Sequence, residues 1–220
     1  MKKADIVARL RTARLFRVLS KSELEGLADS PNVASFEPDT TIFFRGDGPD
    51  HVYFILEGRV AVETLSNNGK AFAISTLESG EVFGEMAVLD GQDRSANIRT
   101  LDETVLLLIN NRRFNALTQD NPAFAREVIQ DLVRRLRLSD AKFESIMFYP
   151  LKRRLAELLI QQFNAYGDVL IMTQAELAYQ LSATREKVNV SLQAMQRAGA
   201  IKLARGRITL LDAQILLRMK

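Results

Sequence analysis

The sequence predicts an α+β chain: an antiparallel β-roll with flanking helices, one long helix, and a small C-terminal helical domain closed by a hairpin. Three observations carry this. Between residues 33 and 109, short runs of β-branched and aromatic residues alternate with turn-forming clusters. From Asn121 a helical pattern runs unbroken to Pro150. Beyond Pro150 the apolar spacing is helical again and the local charge changes sign. A chain of 220 residues, 47% of them apolar, can bury two modest cores. The predicted division is 1–120 for the roll with its N-terminal helices, 121–149 for the long helix and 150–220 for the C-terminal domain.

Residues 4–30 have helical spacing, with Ile6, Leu10, Leu15, Leu19, Leu24 and Leu27 facing inward. The runs "TIFF", "VYFIL", "VAVETL", "AFAIST" and "TVLLLI" then read as strands, separated by the turns "RGDGPD", "SNNG", "ESGE" and "LDGQD". Eleven of the twelve phenylalanines precede residue 150, which places the main aromatic core in this half. Asn121 and Pro122 fit an N-cap followed by proline at the first helical position. Along that helix Leu132, Leu136, Ser139, Phe143 and Ile146 form a seam suited to a coiled-coil partner. Packing of the helix against its own domain would produce the same stripe. After Pro150 the pattern predicts two or three helices and a hairpin, "AIKLARGRITLLD".

Composition narrows the chemistry. The chain has no cysteine, which excludes disulfides, thiolate-held zinc and cysteine-ligated iron–sulfur clusters. With His51 as the one histidine, metal or hydrolase chemistry based on histidine has little to work with, and no metal is expected. No window is apolar enough to span a membrane, and the basic N-terminus lacks a secretory core, so the expected address is the cytoplasm. The net charge of +3 is unevenly placed: residues 150–220 carry 11 Lys/Arg against 5 Asp/Glu, and the first 149 carry 19 against 22. A basic back joined to an acidic front suits a polyanionic partner for the C-terminal domain, although uneven solubilising charge gives the same numbers.

The stretch "VFGEMAVLDGQDRSANIRT" sets an acid, a guanidinium and a hydroxyl around one glycine-punctuated loop. A cyclic nucleotide fits this chemically. Arg94 can meet the phosphodiester with a forked guanidinium, and Ser95 can add a hydroxyl donor. If Glu85 opens a short helical turn, the N–H groups of Glu85, Met86 and Ala87 face the same anion. Glu85 itself suits the ribose 2′-hydroxyl, and Gly84 lets the backbone come close. An exposed Glu–Arg pair on a surface turn is the plainer alternative.

"FGEMAVLDGQDRSA" resembles the phosphate-binding cassette of cyclic-nucleotide-binding domains, and "FRGD" and "LEGRV" resemble glycine-marked turns of the same roll. The resemblance covers roughly residues 10–145. It implies a ligand site made of Gly84, Glu85, Met86, Ala87, Arg94, Ser95 and Ala96, with Arg135, Ser139 and Asp140 approaching from the long helix across a homodimer. Bacterial cyclic-AMP activators carry Thr-Ser where this chain has Ser139-Asp140. An ionised Asp140 only accepts hydrogen bonds, from adenine N6 or from guanine N1 and N2, so cyclic AMP and cyclic GMP both stay open.

"MTQAELAYQLSATREKVNVSLQAMQRAGAI" has the spacing of a helix-turn-helix. Thr173 and Glu176 make a capping-box signature, with Leu177, Ala178 and Leu181 on the buried face. Thr184 can cap a second helix whose inner side is Val188, Leu192 and Met195. The predicted DNA-facing set is Thr173, Thr184, Arg185, Glu186, Lys187 and Asn189, with Arg205 and Arg207 on a basic wing. "TREKVNVSLQAM" resembles the recognition helix of the CRP–FNR transcription factors, in which Arg185 and Glu186 match a base-reading pair and Val190 replaces a further arginine. Together these resemblances imply a regulator, not an enzyme, in which ligand sets the spacing of two recognition helices on double-stranded DNA, with RNA polymerase as a further partner. Arg94→Ala is then expected to abolish ligand-dependent DNA binding and leave the fold intact. The rival within the family is a degenerate pocket answering another signal or none. A phosphodiesterase would need metal ligands that Glu85, Asp90 and Asp93 alone do not provide.

Overall fold

The computed structural model describes residues 1–29, 32–65 and 71–219. The predicted turn at 66–69 lies outside them. The chain divides into two compact units, Met1–Thr64 with Ile74–Leu136, and Leu65–Ala73 with Arg137–Lys220.

The first unit opens with helices α1 (Lys3–Thr12) and α2 (Lys21–Ala28). Strands β1 (Val33–Phe36), β2 (Thr41–Phe43), β3 (His51–Glu57), β4 (Arg59–Leu65), β5 (Ala71–Glu78) and β6 (Val82–Phe83) follow. Helix α3 (Glu85–Asp90), strands β7 (Asn97–Thr100) and β8 (Thr104–Asn110), and helix α4 (Asn111–Asp120) lead to α5 (Pro122–Phe148). Two four-stranded sheets form the roll, in the orders β1-β8-β3-β6 and β2-β7-β4-β5, with antiparallel pairing.

The two-residue period of β3 and β8 explains how the roll is layered. Val52, Phe54, Leu56, Leu107 and Ile109 join a core with Leu10, Leu24, Phe114 and Phe124 from the helices. Their neighbours Ile55 and Leu106 point the other way, into a second core with Phe43, Val60, Leu77, Phe83 and Ile98. One sheet therefore carries helices on one face and the second sheet on the other. Gly58 links β3 to β4 at φ +88°, where an added Cβ would lie 2.4 Å from the Glu103 carbonyl oxygen. No other residue fits that turn.

The N-terminal helical stretch differs from the continuous pattern expected. It breaks between residues 13 and 20, because Phe16 turns into the core, edge-on to Phe54 and stacked on Phe124. Ser20 then starts α2 with a full capping box to Glu23. The six predicted inward residues are all buried.

At the start of α5, Asn121 Oδ1 accepts from the Phe124 N–H at 3.1 Å, as the Asn-Pro signature predicts. Phe124 and Val128 are buried, whereas Leu136, Phe143 and Ile146 are 61%, 65% and 43% exposed. Packing among the described residues leaves that half of the seam exposed.

The second unit contains α6 (Leu151–Tyr166), β9 (Val169–Ile171), α7 (Gln174–Gln180), α8 (Arg185–Arg197), β10 (Ile201–Ala204), β11 (Arg207–Leu210) and α9 (Ala213–Arg218). The hairpin acquires a third strand, giving the order β10-β11-β9. Among the described residues four helices appear where two or three were expected, the extra one being α9, short but capped by Asp212. Leu155, Leu159, Leu177, Val188, Leu192, Met195 and Ile208 share one buried cluster.

Candidate functional site

The cassette is assembled by β6, α3 and the loop before β7. Val82 and Phe83 are buried by pairing with Phe54 and Tyr53 of β3, and the Tyr53 and Phe83 rings stack 4.9 Å apart. Gly84 then takes φ +78° as the cap of α3, and a Cβ there would meet Arg94 Nη1 at 2.7 Å. Left-handed backbone and the arriving guanidinium both demand glycine. On the other side of the loop, Arg94 N–H donates to the Asp47 carbonyl and the Gly46 N–H donates to the Arg94 carbonyl, each at 2.9 Å. The "FRGD" turn thus holds the arginine's backbone in place.

Arg94 is 3% exposed. Its Nη1 donates to the Gly84 carbonyl and its Nη2 to the His51 carbonyl, both at 2.7 Å, and its Cζ sits 4.4 Å over the Phe43 ring. Its buried Nε has no hydrogen-bond partner among the described residues. A guanidinium has five N–H donors, so two bonds to carbonyls leave three for an anion. Burial pulls its pKa down, against the opposing pull of Tyr53, Asp50 and Glu85.

Glu85 is 5% exposed. Burial raises its pKa above the usual carboxylate range, Arg135 opposes that rise and Asp131 adds to it. Arg135 Nη1 donates to Glu85 Oε1 at 3.3 Å, and Arg135 Nη2 donates to the Val82 carbonyl at 2.6 Å. An open recess is lined by Gly84, Glu85, Met86, Ala87, Arg94, Ser95, Ala96 and Arg135, with an apolar floor that includes Phe43, Leu77 and Phe83.

The structure therefore brings together all the predicted ligand residues except Ser139 and Asp140. Those two lie exposed on α5, in the part of the helix that belongs to the second unit. Sequence reading missed Phe43 and Tyr53, which pack on Arg94, and Asp131, which pairs with Arg135 at an i,i+4 spacing visible in the sequence.

In the second unit, Thr173 and Glu176 form the expected capping box, and Thr184 Oγ1 accepts from the Lys187 N–H at 3.4 Å. Ser182 turns the chain between α7 and α8 at φ +49°. Arg154 Nη1 donates to the Leu181 carbonyl at 2.9 Å, tying that turn to α6. Val188, Leu192 and Met195 are fully buried, which presents Arg185, Glu186 and Lys187 outward. Asn189 is half-buried, its Oδ1 accepting from Gln174 Nε2 at 3.0 Å. Val190 is 64% exposed beside it, and Arg205 and Arg207 flank Gly206 at the exposed hairpin tip. The hydroxyl oxygens of Thr173 and Thr184 serve as helix caps.

A buried acid and arginine at a glycine-capped recess, followed by a capped helix-turn-helix with a basic wing, define a ligand-binding domain joined to a DNA-binding one. Comparisons with known proteins agree. Residues 33–121 match the cyclic nucleotide-binding domain and residues 153–219 the Crp-like helix-turn-helix domain. The chain is 29% identical to the cyclic AMP receptor protein of Thermus thermophilus, over 80% of this chain and 82% of that one. It is 24% identical to the CRP-like cAMP-activated global transcriptional regulator of Mycobacterium tuberculosis, over 97% and 98%. Among solved structures it resembles a CRP/FNR-family transcriptional regulator, also of Thermus thermophilus, with a TM-score of 0.69, 27% identity and coverage of 85% and 97%. It shares its fold with the c-di-GMP responsive global regulator CLP of Xanthomonas campestris, with a TM-score of 0.77, 21% identity and coverage of 88% and 100%. This chain belongs to the CRP–FNR family of transcription regulators and carries a cyclic-nucleotide-binding domain. Among the described residues no helix is long and apolar enough to cross a membrane, and no cluster of three metal-ligating side chains occurs.

Proposed function

We propose that the protein is a homodimeric, cytoplasmic transcription regulator whose DNA binding is set by a cyclic mononucleotide, cyclic AMP first and cyclic GMP second. The observation that carries this is the pairing, at one recess, of a buried carboxylate with a buried guanidinium that keeps an unpartnered Nε. The phosphodiester takes the remaining Arg94 donors, the Ser95 hydroxyl and the first-turn amides of α3, and Glu85 accepts from the ribose 2′-hydroxyl. Ser139 and Asp140 read the purine along a seam completed by Leu136, Phe143 and Ile146 of a second copy, whose exposure in one chain supports that pairing. The paired α5 helices place two α8 helices about 34 Å apart on DNA, and the nucleotide favours that arrangement by binding it more tightly. RNA polymerase is the further partner assigned to the bound dimer.

Calorimetric titration of the full chain with each nucleotide tests the ligand. Binding near one per chain, followed by nucleotide-dependent retention of a specific duplex, is the expected result. The engagement of two Arg94 donors with Gly84 and His51 carbonyls favours one other reading, in which Arg94 is purely structural and the regulator answers a different signal. Absence of heat with both nucleotides, with duplex binding unchanged, would establish that alternative.

A further inference from the structure

We propose that Asp131 is a positioning residue for Glu85, acting through Arg135, and that it thereby sets the preference for a ribose over a deoxyribose nucleotide. The inference rests on the cyclic-nucleotide reading above and adds to it a residue one turn removed from the recess.

Asp131 and Arg135 lie four residues apart on α5, and Arg134 three. The two oxygens of Asp131 are divided between the arginines: Oδ1 accepts from Arg134 Nη2 at 2.8 Å, and Oδ2 lies 2.7 Å from Arg135 Nε. The second contact is an ion pair not aligned as a hydrogen bond, since Arg135 Nε has no hydrogen-bond partner among the described residues. The other edge of the Arg135 guanidinium faces the site. Nη2 grips the Val82 carbonyl at 2.6 Å and Nη1 reaches Glu85 Oε1 at 3.3 Å. A guanidinium is rigid and planar, so anchoring the Nε edge fixes where Nη1 points. Of these contacts the one to Glu85 is the longest, and it slackens first if the Nε edge is released. Asp131 and Glu85 expose only 17% and 6% of their side chains, so solvent does little to substitute for the lost partner.

A purely electrostatic role predicts the opposite outcome. The Asp131 charge works against ionisation of Glu85. Neutralising it without disturbing geometry would favour the carboxylate and strengthen its bond to a ribose hydroxyl. A positioning role predicts weakening, confined to nucleotides that have the hydroxyl.

The test is calorimetric titration of the full-length protein and its Asp131→Asn and Asp131→Glu variants with cyclic AMP and with 2′-deoxy cyclic AMP, or with the guanine pair if that series binds. The parent should prefer the ribo form by about tenfold or more, as for a hydrogen bond to a charged acceptor. In Asp131→Asn that preference should fall about fivefold, within the usual range of coupling between neighbours, through weaker binding of the ribo form alone. Asp131→Glu should restore part of it. Equal losses for both nucleotides, or a strengthened ribo preference, overturn the inference and leave the nucleotide reading standing. If neither form binds the parent, the nucleotide reading falls and takes this inference with it. Should Asp131→Asn not fold, Arg135→Lys keeps the charge and removes the fork. An undiminished ribo preference in that variant equally overturns the proposal.

Discussion

The recess of the roll and the start of α8 handle charge in opposite ways. In the recess, Arg94 and Glu85 are 3% and 5% exposed and are held by carbonyls, by Phe43 and by Arg135. On α8, Arg185, Glu186 and Lys187 are exposed, and the helix is held by a Thr184 cap and the inner face of Val188, Leu192 and Met195. In the roll the groups that would bind ligand also hold the fold. In the helix-turn-helix Thr184 and Asn189 share both duties through a cap and a bond to Gln174, whereas the exposed Arg185 and Lys187 are set apart from the buried face of α8. Recess variants should therefore change stability and binding together, and variants of Arg185 and Lys187 should change binding alone.

The largest expected effect is that of Arg94→Ala. The sequence by itself suggests a fold-neutral variant, but the geometry argues otherwise. Removing the guanidinium leaves the Gly84 and His51 carbonyls without their donor and strips a cation from the Phe43 ring. An unsatisfied buried acceptor costs about 1–3 kcal/mol, so a loss of roughly 2–5 kcal/mol in denaturant unfolding is expected, together with loss of nucleotide binding. An unfolding midpoint equal to the parent's would break the comparison at its strongest point.

Glu85→Gln comes next and separates the two duties by sign. Burial raises the folded pKa of Glu85 above its ordinary value of 4.5. Between that value and the raised one the folded state holds a proton the unfolded chain has released, so this group's contribution to stability is full below 4.5 and is lost as pH rises. The glutamine variant should lack that decline and unfold at higher denaturant than the parent at about pH 7. Arg135 stays partnered by Val82 and Asp131. Nucleotide affinity should fall in the same variant, because a neutral acceptor bonds more weakly than a carboxylate. Parallel losses of stability and affinity would show that Glu85 is held ionised at no cost.

The same contrast explains what was legible in the sequence. Gly84 to Ala87 and Arg94 to Ala96 lie close together in the chain, so their shared recess could be read from a local pattern. The helix caps at Asn121, Thr173 and Thr184 and the inner face of α8 are equally local. What Arg94 grips was not readable: the His51 carbonyl is 43 residues away, and Phe43 reaches the site through a strand register fixed by pairings across the roll. Strands β6 and β9, of two and three residues, are too short to show alternation. The break at residues 13–20 depends on Phe16 finding Phe54 and Phe124, a tertiary contact that outweighs helical spacing.

On α8 the expected effects are smaller and leave the unfolding curve unmoved. Arg185→Ala should cost about 1–3 kcal/mol of DNA affinity, all of it at the base pair it reads, as measured by binding to duplexes changed one pair at a time. Equal losses on every duplex would mark Arg185 as a phosphate contact instead.

Lys187→Ala is the finest test. Lys187 lies in the first turn of α8, and its backbone N–H, not its side chain, serves the Thr184 cap. The variant should keep the cap and the fold. Because a phosphate-facing lysine releases condensed counterion on binding, its removal should weaken affinity evenly across sequences and reduce the log–log salt slope by about one. A changed base preference with an unchanged slope would move Lys187 from the DNA backbone to the base edges. That would sharpen the picture of α8 as a surface whose reading and positioning residues can be exchanged without touching its core.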